Sequence, residues 1–131
     1  MQSSEERAPT PRIQIRVETR FIPEHSDPVK KVWLYAYTIT ITNRGPLPCQ
    51  LLSRHWIITD ATGVEEHVQG EGVVGEQPRL PVGGSFRYTS ACPLRTSVGS
   101  MRGSYQMIDA EGREFEAEIP AFPLAQQRDV N

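Results

Sequence analysis

The chain has 131 residues, with 14 lysines and arginines against 16 aspartates and glutamates and a formal net charge of −2 at pH 7. That length fits one domain with a core that needs no metal or disulfide staple, and the balanced charge, without a basic run, excludes the electrostatic footprint of a nucleic-acid or anionic-membrane binder. No apolar stretch nears the roughly 20 residues that span a bilayer, and the polar start Met1–Thr10 lacks the apolar core of a signal peptide, so the expected compartment is the cytoplasm.

Residues 1–11 carry charge, serine and two prolines and read as a disordered arm. Order begins near Arg12, where Ile13, Ile15 and Val17 alternate with Gln14, Arg16 and Glu18, the period of a strand with one buried face. A polar loop follows over Pro23–Pro28. Lys31–Asn43 is the strongest strand, with Trp33, Tyr35, Tyr37, Ile39 and Ile41 sharing one face and threonines on the other. Asn43-Arg44-Gly45-Pro46 is turn chemistry. A second long strand spans about Gln50–Thr59, and simple alternation puts Leu52, Trp56 and Ile58 on one side and Leu51, His55 and Ile57 on the other. Asp60-Ala61-Thr62-Gly63 predicts a hairpin with a short return strand over Val64–Val68. After a glycine-rich loop and the Pro81-Val82-Gly83-Gly84 turn, Ser85–Ser90 carries Phe86 and Tyr88 on one face, Ala91–Ser100 reads as irregular, and a last hairpin turns at Asp109-Ala110-Glu111-Gly112 before Phe115, Ala117 and Ile119. No helical stripe or repeat interrupts the pattern. About seven strands with frequent turns predict an immunoglobulin or fibronectin type III-like antiparallel β-sandwich, with a small open barrel as the alternative. The domain covers residues 12–124, residues 125–131 form a flexible tail, and Trp33, Tyr35, Ile39, Trp56, Ile58, Tyr105 and Phe115 are predicted for the core.

The one motif with binding chemistry is Gly70-Glu71-Gly72-Val73-Val74-Gly75. Residues without a Cβ reach φ > 0 and can aim successive N–H groups at phosphate, so Gly70, Gly72 and Gly75 are the candidate phosphate or nucleotide contacts. A dinucleotide fold needs a helix opening at the last glycine. Here Glu76, Gln77 and Pro78 continue as loop, which favours a glycine loop shaped for packing, with Val73 or Val74 buried and Glu71 in water. Glu71 and Glu76 also place negative charge where a phosphate would sit, unless Arg54, Arg79 or Arg87 offsets it.

His25, His55, His67, Cys49 and Cys92 lack the short ligand spacing of zinc sites. His25, between Glu24 and Asp27, reads as part of a solvated loop, and His55, beside Trp56, as a packed, hydrogen-bonded histidine. Cys49 and Cys92 are expected to be buried, reduced thiols. No nucleophile, base and orienting group announce themselves, so neither catalytic residues nor a cofactor are predicted.

Gln50-Leu51-Leu52-Ser53-Arg54-His55-Trp56-Ile57-Ile58-Thr59-Asp60, Val68 through Pro78, Tyr88-Thr89-Ser90, Gly99 through Met107 and Ile119-Pro120-Ala121-Phe122 together resemble the bacterial ApaG family over about residues 12–124. Val82-Gly83-Gly84 and Cys92-Pro93 are small departures from that pattern. The resemblance implies a fibronectin type III-like sandwich and carries a label of cobalt resistance and magnesium efflux. Genes of the family often lie near one for a diadenosine tetraphosphate hydrolase, and related domains occur in eukaryotic F-box and polymerase-interacting proteins. It therefore implies a non-catalytic binding module with protein partners, with nucleotide or pyrophosphate binding at Gly70, Gly72 and Gly75 as the alternative and dinucleotide hydrolysis least favoured.

Overall fold

In the computed structural model, which describes residues 10–126, the alternating runs become strands β1 (Ile13–Phe21), β2 (Trp33–Asn43), β3 (Cys49–Asp60), β4 (Glu65–Glu71), β5 (Arg79–Leu80), β6 (Ser85–Leu94), β7 (Gly99–Asp109) and β8 (Glu114–Leu124). Because β5 is only two residues long, seven strands carry the fold. The polar loop before β2 holds two 3-10 turns, Pro23–His25 and Pro28–Lys30. Among the described residues no helix is long and apolar enough to cross a membrane. All but Thr10 and Pro11 of the expected N-terminal arm, and all but residues 125 and 126 of the expected tail, lie outside the described residues.

The long strands each have one apolar face, and two sheets stack to cover those faces. One sheet has the order β1-β2-β6; the other has β4-β3-β7-β8, with β5 added beside β3. Tyr35, Ile39 and Ile41 of β2 meet Trp56 of β3 and Tyr105 of β7 in the shared core, and Trp33, Ile58 and Phe115 pack at its margin. The predicted core residues therefore lie where expected, and the architecture is a fibronectin type III-like sandwich. Both predicted Asp hairpins form with the same bonds. Asp60 Oδ1 accepts from the Thr62 and Val64 N–H groups at 2.8 and 3.1 Å, and Asp109 Oδ1 from those of Glu111 and Arg113 at 2.8 and 3.0 Å.

Two expectations need correction. Simple alternation separates Leu51 from Trp56, yet both are buried. The pairing with β7 passes from Leu51↔Met107 to Ser53↔Gln106, so Leu52 is the extra residue of a β-bulge, which shifts the parity of everything after it. The segment from Ala91 is also more regular than predicted, because β6 continues to Leu94 and buries Cys92 and Leu94. Pro93 is tolerated there because β6 is an edge strand.

The chain enters and leaves at opposite ends of the sandwich. Ile13, the first residue of β1, pairs with Asn43 at the end where Cys49 faces Asp109. Leu124, the last of β8, pairs with Gly99, at the end where Asp60 also pairs with Gly99.

Candidate functional site

The glycine motif lies at the edge of the larger sheet, where β4 gives way to β5 beside the β3 bulge. One step beyond the Ser53↔Glu71 pair of β3 and β4, the Leu52 carbonyl accepts from the Gly72 N–H at 2.8 Å and from Gln77 Nε2 at 2.9 Å. The Leu51 N–H in turn donates to the Pro78 carbonyl at 3.0 Å. Both ends of the loop are therefore tied to β3.

Between those ties the loop makes a two-residue hairpin. Val73 and Glu76 exchange N–H···O bonds, each 2.8 Å, around Val74 and Gly75, whose φ values are 43° and 82°. Two successive positive φ values are the signature of a type I′ turn. Gly75 suits this backbone, but Val74 does not, since a β-branched residue at positive φ is strained by about 1–3 kcal/mol. Val73 is 1% exposed and anchors the hairpin in the core, whereas Val74 is 55% exposed at its tip. Burying the Val73 side chain contributes about 1.5–3 kcal/mol towards holding this shape. As expected, one valine packs and Glu71 faces water.

Arg54 completes the site. Its side chain follows the parity of Trp56, which directs a guanidinium toward the sandwich interior. Nη1 donates to the Glu71 and Gly72 carbonyls at 3.0 and 2.9 Å. Gly70 leaves room for this arm, and at Gly72 a Cβ would collide with the Glu76 carbonyl oxygen. Below the arm, the hydroxyls of Tyr88 and Tyr105 lie 2.6 Å apart in the core. Burial pushes both well above the usual phenol range, and the Arg54 charge pulls each back. Of the arginines considered to offset Glu71 and Glu76, the structure brings Arg54 onto the loop. Arg87 instead faces Glu18 on the other sheet at 3.5 Å, and Arg79 lies in β5 opposite Gln50.

The remaining candidates are dispersed. His25 and Glu24 are exposed in the 3-10 loop. Cys49 and Cys92 are free and buried, matching the expected reduced thiols. Burial and the nearby Glu66 charge push the Cys92 thiol up to about 11. Among the described residues no group of three or more His, Cys, Asp or Glu side chains is placed to hold a metal ion. His55 is hydrogen-bonded as predicted, but its partner is His67 across the strand pair, at 2.9 Å. Sequence separation hid that pairing, as it hid the Arg54 clamp; the available signal for Arg54 was a charge at the parity of an inward-facing tryptophan.

Two antiparallel sheets stacked as a sandwich, with a glycine hairpin tied to β3 at one edge, define a small all-β domain. The family model described as the ApaG domain matches residues 23–109, and the chain belongs to that family. It is 54% identical over 113 residues to Protein ApaG of Pseudomonas aeruginosa, covering 86% of this chain and 90% of that one. It is also 54% identical over 121 residues to Protein ApaG of Acidithiobacillus ferrooxidans, covering 92% and 94%. A crystal structure described as an ApaA protein from Bordetella pertussis superposes with a TM-score of 0.87 at 47% identity, covering 90% of this chain and 96% of that one.

Proposed function

We propose that this chain is a non-catalytic binding module that engages a protein partner through the hairpin tip at residues 72–76. The observation that carries the reading is Val74, an apolar side chain held exposed and in a left-handed conformation by a buried neighbour. Strain of this kind concentrates at recognition sites, and a tip ordered beforehand loses less entropy on binding. Gly70 and Gly72 have packing reasons and Gly75 the positive φ of the turn, and both Arg54 Nη1 contacts go to loop carbonyls, which supports a shaped loop over an open phosphate cradle. The two buried thiols are poor nucleophiles, and in the cytoplasm, where we place the protein, they stay reduced. The link to cobalt and magnesium homeostasis implied by the family adds no residue to this reading.

The second reading, nucleotide or pyrophosphate binding at Gly70, Gly72 and Gly75, has in its favour the one arginine at the loop. Affinity capture with the parent and a Val74→Asp variant, beside calorimetric titration with pyrophosphate and nucleotides, separates the two. The module reading expects a partner captured by the parent and lost with Val74→Asp, whose Asp-Gly turn should melt no lower than the parent, and no heat from the anions. Saturable heat that disappears in Arg54→Met would replace it with the anion reading.

A further inference from the structure

The outward face of the smaller sheet gathers charge that the sequence scatters. Ile15, Val17 and Phe21 pack against the core, so strand alternation turns Arg16, Glu18 and Arg20 of β1 outward. Phe86 and Tyr88 face inward in the same way and turn Arg87 of β6 outward. Register sets Arg16, Thr40 of β2 and Arg87 in one row across the sheet, and Arg20, Ala36 and Ala91 in another. Two strand spacings, about 10 Å, separate the backbone at Arg16 from that at Arg87, and four residues of rise, about 13 Å, separate Arg16 from Arg20. Arg12 and Arg44 extend the face at the entry end. There Arg44 donates to Gln14 Oε1 through Nε and Nη2 at 3.0 and 2.7 Å, and Arg12 Nη2 to the Arg44 carbonyl at 3.0 Å. Arg12, Arg16, Arg20, Arg44 and Arg87 are all exposed. Among the described residues, Arg87 alone of these meets a carboxylate, Glu18 at 3.5 Å.

We propose that this face docks an acidic polypeptide segment of a partner protein, laid along β2 with carboxylates reaching Arg16 and Arg20 on one side and Arg87 on the other. Arginine presents a fork of donors that matches a carboxylate through two parallel hydrogen bonds. Between the arginines the sheet carries short side chains, and Thr38 is tied to Thr89 at 2.8 Å, so the guanidinium groups stand above a low floor. In an extended segment, carboxylates four residues apart repeat the spacing of about 13 Å from Arg16 to Arg20. The Arg87 and Glu18 side chains are 65% and 71% exposed, and an ion pair that open to solvent is weak enough to yield to a partner's carboxylate. No aromatic side chain lies in the outward rows of β1, β2 and β6, so the face lacks the stacking platform of a single-stranded nucleic-acid site. The near-neutral charge of the whole chain conceals the face because acidic residues gather elsewhere: β8 exposes Glu114, Glu116 and Glu118 on the larger sheet. This surface belongs to the sheet that does not carry the hairpin and goes beyond the hairpin reading.

Titration of the full chain with a fluorescein-labelled peptide of alternating glutamate and serine, read by anisotropy and by amide NMR shifts, tests the proposal. The expected result is saturable binding that weakens with salt, with shifts centred on Arg16, Thr40 and Arg87. Combining Arg16→Gln, Arg20→Gln and Arg87→Gln, all at exposed positions, should weaken binding at least about tenfold. Arg102→Gln on the larger sheet and Val74→Asp on the hairpin should leave it unchanged, and a glutamine and serine peptide should not bind. Absence of saturation, shifts centred elsewhere or an unchanged affinity in the triple variant would overturn the proposal. So would tighter binding of an oligothymidylate of equal charge, which would make the face a nucleic-acid site. Self-association of the parent that disappears in the triple variant would assign the face to the glutamates of a second copy instead. The shift map of the parent decides even if the triple variant loses its fold.

Discussion

The guanidinium of Arg54 lies against Gly70 so closely that a Cβ at position 70 would stand 2.9 Å from Nη1. The two residues therefore form one device: the glycine clears a path, and the arginine reaches through it to the hairpin carbonyls. Gly70→Ala should push the guanidinium off the Glu71 and Gly72 carbonyls and cost about 1.5–3 kcal/mol, the scale of a hydrogen bond to a charged group. Arg54→Met should cost a similar amount. Urea denaturation of the double variant checks the coupling, because Gly70→Ala should be nearly neutral once the arginine is gone. Additive losses would mean that Gly70 matters for another reason.

Val74 and Gly72 should respond in opposite directions. Val74→Gly relieves a β-branched residue at φ 43° and should stabilise the fold by about 1 kcal/mol. Gly72→Ala meets a backbone carbonyl as well as a φ of 63° and should destabilise by more than about 1 kcal/mol. Gly75→Ala, with open space around its Cβ, should cost less than Gly72→Ala. Thermal melts of the three variants rank them directly.

The tyrosine pair in the core should show strong non-additivity. Tyr105→Phe leaves the Tyr88 hydroxyl buried with its 2.6 Å partner removed, at a cost of about 1–3 kcal/mol. Replacing both tyrosines by phenylalanine should cost less than the sum of the single changes, since no unpaired hydroxyl remains. A double-mutant cycle from denaturant unfolding measures that difference.

Acid should weaken the two Asp hairpins. Hydrogen bonding from the Thr62 side chain, with backbone N–H groups of the turn, holds the Asp60 carboxyl below its usual range. Desolvation raises that of Asp109, but the Arg113 and Glu111 N–H groups and the Arg113 charge outweigh it and leave it lowered too. Both folded-state values lie below the unfolded one of about 3.9, so near that pH the unfolded chain binds more protons and stability rises with pH. The contribution is full above the unfolded value and is lost as pH falls through the folded values. Melting temperatures measured from about pH 6 down to about pH 2 should fall most steeply below about pH 4, and Asp60→Asn with Asp109→Asn should flatten that limb.

Both thiols should stay silent in the native protein. Burial, together with Asp109 for Cys49 and Glu66 for Cys92, pushes each thiol up, Cys92 to about 11. Only the thiolate attacks a disulfide reagent. Ellman's reagent should therefore label neither cysteine until denaturant unfolds the chain, after which both react, and prior reduction should add no further thiols. Rapid labelling of the folded protein would contradict the buried placement.

Strand identity was legible because Trp33 through Ile41 and Tyr105 through Met107 alternate cleanly, and the turns because Asp60-Ala61-Thr62-Gly63 and Asp109-Ala110-Glu111-Gly112 carry strong local chemistry. The bulge at Leu52 was not, since an extra residue leaves no local mark; only the partner strand reveals it. That one residue reverses the faces of β3 and so governs where Arg54 and His55 point. The Gly-x-Gly-x-x-Gly spacing was plain in the sequence, but the reasons for Gly70 and Gly72 belong to contacts with Arg54 and Glu76, and His67 became a neighbour of His55 only through strand register.

Entry of the chain at one end of the sandwich and exit at the other has a mechanical consequence. β1 and β8 both run from the entry end to the exit end, so tension applied to the two chain ends drags them in opposite directions along their own axes. The interstrand hydrogen bonds that join β1 to β2 and β7 to β8 lie across the strands. A pull along the axes loads each ladder all at once, in shear, and cannot peel it open one bond at a time. Pulled from its two ends, the domain would therefore resist through its β1–β2 and β7–β8 ladders together.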